Sequence, residues 1–146
     1  MPARHLSFVR AIAGISLAYD GGVGLVLLLV PGLMASAFGV EPAHPRIFSD
    51  LNALFLIAIA AGYYAPYRDP AGARWYLWVM GAGLKGAGAA AFVLDYVIRH
   101  SPASFLLFAA SDGTLAILTL IALLASRGSA ASRASGARST PEFPRR

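Results

Sequence analysis

Residues 75–98 read WYLWVMGAGLKGAGAAAFVLDYVI, an apolar run interrupted only by Lys85 and Asp95. A helix gains about 1.5 Å per residue, so this stretch reaches across the ~30 Å hydrocarbon core of a bilayer. It lacks the strict alternation of a barrel strand. In lipid, only helices and closed barrels satisfy their own backbone, so the run is read as a membrane-spanning helix.

Three more runs follow the same logic. The first covers residues 8–30 and stops at Pro31-Gly32. The second covers 47–65, with Ser49 or Asp50 as N-cap, Asn52 beside them and Pro66 as the stop. The last covers 103–125, after Ser101-Pro102. The expected fold is all-α: an integral membrane four-helix bundle occupying residues 1–126. Composition agrees. The chain of 146 residues is 58% hydrophobic and 13% charged, with a mean hydropathy of +0.64. A soluble domain carries about 25% charged residues, which leaves this chain too little polar surface for a water-facing shell.

The arginines orient the bundle. With the N-terminus inside, Arg4, Arg10, Arg68, Arg74, Arg127, Arg133, Arg138, Arg145 and Arg146 fall on the inner side, against Arg46 and Arg99 outside. That asymmetry places both termini in the cytoplasm and the protein in the cytoplasmic (inner) membrane. Tyr63, Tyr64, Tyr67, Trp75, Tyr76 and Trp78 then form an aromatic belt at the inner interface. Ala35-Ser36-Ala37 resembles a signal-peptidase site. The apolar run before it exceeds the usual 7–15 residues and contains Asp20, so no cleavage is expected.

Residues 127–146 form a Ser-, Ala-, Gly- and Arg-rich tail without apolar periodicity, expected to be disordered. The net charge of +5 is concentrated there. Arg127, Arg133, Arg138, Arg145 and Arg146 beside a span suit anionic lipid headgroups rather than nucleic acid. Between the first two spans, Leu33, Met34, Ala37 and Phe38 recur at helical spacing and predict a short interfacial helix.

The chain has no cysteine, which excludes disulfides, thiol catalysis and thiolate metal sites. His5, His44 and His100 lie near termini or loops without metal-ligand spacing, so no metal or other cofactor is expected. Gly81-Ala-Gly-Leu-Lys-Gly lies inside an apolar helix and follows no strand, so it is not a phosphate loop.

The candidate site is a set of three charges. Asp20, Lys85 and Asp112 lie about 13–18 Å into their spans by helical rise, all near the midplane. A charge there costs roughly 2.5–3.5 kcal/mol on insertion scales, so it needs a partner or a role. Lys85 is the only lysine. If the three helices face one another, the low dielectric favours one ion pair and one protonated carboxyl. Two roles remain open: a structural lock on helix register, or a proton or ligand site. Small residues surround these charges. Gly14, Ala18 and Gly22 stripe the first span, Ala109 and Gly113 the last, and Gly81, Gly83, Gly86 and Gly88 bracket Lys85, all read as helix-packing positions. Tyr19-Asp20-Gly21 and Ser111-Asp112-Gly113 share a short local likeness. Asp95 and Arg99 are spaced to pair along one helix.

Arg10 and Gly14 opening the first span, the turn Tyr63…Arg68-Asp69-Pro70, and Gly83-Leu84-Lys85 matched by Asp112-Gly113 together resemble small bacterial four-helix membrane proteins of the DoxX-like type. The resemblance spans about residues 10–124. It implies a partner role within larger redox or secretion assemblies.

The functional expectation is a small non-enzymatic membrane protein, a subunit or accessory factor of a membrane assembly. The alternative is a proton-coupled transporter or apolar-ligand binder that uses the Asp-Lys-Asp cluster, most simply as a homodimer. An intramembrane enzyme is the third reading. It lacks a visible nucleophile or metal, and its chemistry reduces to proton transfer by these three groups.

Overall fold

The computed structural model describes residues 3–137, and no strand occurs among them. Five helices follow in order: α1 (Ala3–Leu29), α2 (Pro31–Phe38), α3 (Ile47–Arg68), α4 (Arg74–Arg99) and α5, which opens as a 3₁₀ turn at Ala103–Phe105 and continues as Leu106–Ala137. Four of them are long and apolar enough to cross a membrane. α1 packs chiefly on α3, α4 packs on α5, and α1 meets α5 across the bundle.

Local chemistry sets the boundaries. Pro31 opens α2, where its missing N–H removes nothing from the first turn. Gly39 closes α2 at φ 67°, a left-handed position that suits glycine. The Gly39 amide donates to the Ser36 carbonyl at 3.1 Å, and the Val40 amide to Ala35 at 3.0 Å. The expected short helix is present.

α3 starts where expected but differs in its cap and its stop. It begins at Ile47, and Arg46, not Ser49 or Asp50, holds the N-cap position without a side-chain cap. Asp50 sits in the first turn and accepts from Arg46 Nε at 3.4 Å. Pro66 does not end the helix. The helix breaks after Gly62 and resumes over Tyr64–Arg68, because Pro66 cannot donate to the Gly62 carbonyl and the ladder reforms one turn later. The stop is Asp69, whose Oδ1 accepts the Ala71 and Gly72 amides at 3.2 and 2.9 Å.

The backbone of α5 is helical through Ala137, where the sequence reading expected disorder from residue 127. Ala and Arg favour helix, and an existing helix propagates more easily than a new one nucleates. Arg127 and Arg133 lie on this extension, whereas Arg138, Arg145 and Arg146 lie outside the described residues.

The aromatic belt divides. Tyr63 and Tyr76 are buried in the core with Val9, Ile12, Leu77 and Leu123, and their rings meet edge to face at 5.1 Å. The Tyr76 hydroxyl donates to the Ile59 carbonyl at 2.6 Å, close to the break in α3. Tyr64, Tyr67 and Trp75 stay on the surface.

Close packing falls on partly different glycines from those expected. A Cβ on Gly14 would meet the Tyr67 ring at 3.3 Å. Gly86 and Gly113 stand at ordinary contact distance from Ala116 and Ala89. A Cβ on Gly22 would meet nothing within 4 Å, and one on Gly83 only the Trp78 carbonyl of its own helix. The tight points are Gly24 against Ile57 and Ala53, Gly81 against Thr119 at 2.7 Å, and Gly62 against the Tyr76 hydroxyl. A stripe of small residues on one helix does not say which positions a partner helix approaches, since that depends on the crossing point.

These contacts separate two substitutions of identical chemistry. Gly62→Ala forces Tyr76 out of place and lowers stability by about 1–3 kcal/mol. Gly22→Ala has open space within a helix and raises it by about 0.5–1 kcal/mol. Thermal unfolding of the two variants in detergent gives shifts of opposite sign.

Candidate functional site

Asp20, Lys85 and Asp112 meet at the centre of the bundle. Lys85 Nζ donates to Asp20 Oδ1 at 2.6 Å and to Asp112 Oδ1 at 3.0 Å. The Asp20 and Lys85 side chains are 4% and 6% exposed, and that of Asp112 is 20% exposed. A small pocket of about 130 Å³ between α3 and α4 also reaches all three charges. The third face of the ammonium lies over the Tyr19 ring, 5.0 Å from its centroid.

An eight-residue π-helical stretch, Leu77–Leu84, ends where Lys85 begins. Such stretches are rare and often occur at functional sites. Here the stretch is rich in small residues, and Gly81 lets Thr119 of α5 approach it closely. Thr119 is itself buried and donates to the Leu115 carbonyl at 2.7 Å. The local likeness of Tyr19-Asp20 and Ser111-Asp112 becomes a spatial arrangement. The two acids flank Lys85, and the Tyr19 and Ser111 hydroxyls hydrogen-bond at 2.6 Å beside them.

Above the acids lies a half-enclosed cavity of about 400 Å³, within the range of small-molecule sites. Asp20 and Asp112 form its floor. α2 and the following loop roof it, bringing Met34, Ala35, Phe38 and Glu41 over the opening, while Phe92, Phe105 and Phe108 line one wall. Phe38 stacks on Phe108 and Phe105 at centroid distances of 4.7 and 5.6 Å, and Phe92 on Phe108 at 5.5 Å. Two hydrogen bonds hold the roof: Ser104 Oγ donates to the Phe38 carbonyl at 2.7 Å, and Arg46 Nη2 to the Leu28 carbonyl at 3.3 Å.

Sequence reasoning found the three charges but not the cavity, the π-helical stretch or the phenylalanine wall. Spacing places the charges at one depth. The cavity exists only because α2 folds back over the ends of α1 and α5, and no local pattern encodes that return. The phenylalanines come from α2, α4 and α5, with no shared periodicity.

Other motif residues form contacts of their own. Arg10 Nε donates to the Tyr67 carbonyl at 3.0 Å, beside the Gly14–Tyr67 contact, and ties α1 to the end of α3. Arg74 Nη2 donates to the Leu123 carbonyl at 2.8 Å. Asp95 accepts from Arg99 at 2.9 Å, as its spacing implies, and also from the Ser101 hydroxyl.

Removing one member of the cluster strands the others. Lys85→Met leaves two buried carboxyls without their cation and destabilises the bundle by about 3–5 kcal/mol. The triple variant Asp20→Leu, Lys85→Met, Asp112→Leu removes all three charges together and retains most of the stability. Thermal unfolding of both in the same detergent tests the ordering; a Lys85→Met protein as stable as the parent would show that the ion network contributes nothing.

No protein-family model, curated protein or solved structure matches this chain.

Proposed function

We propose that this chain is a membrane-embedded binding protein that takes an apolar ligand into the cavity above Asp20 and Asp112. One observation carries the reading: a cavity of about 400 Å³ with an aromatic wall is lined by Asp20 and Asp112, two carboxyls that share one ammonium, and the Asp112 side chain is 20% exposed. Two carboxylates on one ammonium carry a charge that is costly in low dielectric, and a ligand donor or a proton relieves it. The cavity moves the preference from an accessory subunit to ligand binding, with proton coupling through the same carboxyls. The triad also has a structural role, because Lys85 joins α1, α4 and α5 whether or not a ligand is bound.

Insertion in the inner membrane as a four-helix bundle belongs to the same proposal. At most 28% of any of the four spanning windows is buried within the bundle, so most of each apolar helix needs an apolar solvent. Phe48, Leu51, Leu54 and Phe55 on α3 and Val93, Leu94, Val97 and Ile98 on α4 all face outward. The positive-inside asymmetry puts both termini and the α3–α4 turn in the cytoplasm, with the cavity mouth opposite. In that orientation the tail arginines face anionic headgroups. The DoxX-like resemblance and its assembly role are a second proposal, resting on the sequence motifs alone.

Two experiments test this. Ala35 is buried and lines the cavity, so Ala35→Phe fills it from the roof. Native mass spectrometry of protein gently extracted from its own membranes should show a bound small molecule on the parent and none on Ala35→Phe. An empty parent, or a variant that keeps the ligand, rejects the cavity as its site. For topology, the cysteine-free chain accepts single reporters. Glu41→Cys should react with an impermeant maleimide in intact cells, and Ala71→Cys only after permeabilisation; the reverse pattern inverts the orientation.

A further inference from the structure

Given the ligand-binding reading above, on which this inference rests, the charge balance of the cavity specifies the ligand. One ammonium faces two carboxylates. Lys85 spends its donors on Asp20 Oδ1 and Asp112 Oδ1 and turns its remaining face to the Tyr19 ring. Asp20 Oδ2 is left without a partner although Asp20 is 3% exposed. The Asp112 carboxyl remains partly open to the cavity it helps to floor. A third acid, Glu41, stands at the mouth. Among the described residues that line the cavity there is no Lys, Arg or His. The cavity is therefore a low-dielectric space with one carboxyl more at its floor than Lys85 balances, which a proton neutralises when no cation is bound, and a further acid at its mouth.

We infer that the cavity binds a hydrophobic organic cation, an amine or ammonium head seated against Asp112 at the Asp20–Asp112 end with an apolar body along the phenylalanine wall. A cation supplies the balancing charge, and its N–H donors bond the accessible Asp112 carboxylate. An anionic ligand meets two acids and no free cation. A neutral apolar ligand supplies neither charge nor donor. Phe38, Phe92, Phe105 and Phe108 offer ring faces to an aliphatic or aromatic body and attract a cation passing them. From Asp20 to Leu27, both lining the cavity, α1 rises about 10 Å, which suits a ligand of one ring and a short alkyl chain.

The same site accepts a proton in place of the cation. The groups facing the two acids are Tyr19 from α1, Lys85 and Tyr76 from α4, Tyr63 from α3 and Ser111 from α5, with Glu41 in the loop. Lys85 is the one cation in that set, and it is already engaged by both acids. Protonation of a floor carboxyl cancels the charge that the ligand head would neutralise, so cation and proton compete.

The test uses the full chain in detergent and three probes with the same body: phenylhexylamine, phenylhexanol and phenylhexanoate. Equilibrium binding should favour the amine over the alcohol by about tenfold or more, with the carboxylate weakest. Asp112→Asn should reduce that preference, and Glu41→Gln, in the loop outside the helices, should reduce it in the same direction if Asp112→Asn fails to fold. Amine affinity should fall on acidification while alcohol affinity stays constant. Equal binding of amine and alcohol, both abolished by Ala35→Phe, would overturn the cation assignment and leave the cavity reading standing. Amine affinity independent of pH would overturn the competition with protons. Failure of all three probes to bind would reject the cavity as a ligand site, and the inference with it.

Discussion

The Lys85 ammonium between Asp20 and Asp112 is the constraint on which the bundle is arranged. Three charges on separate apolar helices are each costly to bury alone. Bringing them together at 2.6 and 3.0 Å solves the problem once, and only when α1, α4 and α5 share one register. Rotating any of the three helices would return a charge to an apolar face. Much of the remaining architecture follows. Gly81 and Thr119 let α4 and α5 approach closely just before Lys85, and Gly24 lets α1 and α3 do the same beyond Asp20. The π-helical stretch Leu77–Leu84 sets the rotation at which Lys85 enters the core.

An ion network of two acids and one base is unbalanced, and both acids line the cavity. On the side toward the N-terminus of α1, the cluster is sealed by Ser16, Tyr63 and the hydrophobic core of Val9, Ile12 and Leu123. On the other side α2 and the loop leave about 400 Å³ open above Asp20 and Asp112. The hydrogen bonds from Ser104 and Arg46 hold the roof to the ends of α5 and α1, so the cavity is built by the chain's own tethers.

The legible and illegible parts of the structure divide by the range of the interaction. The four long helices, the short α2, the Asp95–Arg99 pair and the depth of the three charges could all be read from local periodicity and helical rise. Asp50 as a cap, Pro66 as a stop and Gly22 as a packing point differ for specific reasons. A proline can sit past a local break when the ladder reforms beyond it, and a glycine matters only where another helix crosses. Tyr63 and Tyr76 have the composition of a belt, yet they lie in the core, where their rings meet edge to face and Tyr76 bonds the Ile59 carbonyl.

By itself, the sequence determined that the described chain is helical, with four segments long enough to span a bilayer, and that three charges lie at similar depth within them. Hydropathy and a fixed rise per residue are local quantities, and they suffice for that. Only the tertiary structure decided that the charges touch, that Tyr19 and Ser111 close one edge of the cluster, and that four phenylalanines from three helices line a cavity shared with Asp20 and Asp112. Those facts depend on helix rotation and on the return of α2 across the bundle, which are fixed by packing among residues far apart in the chain.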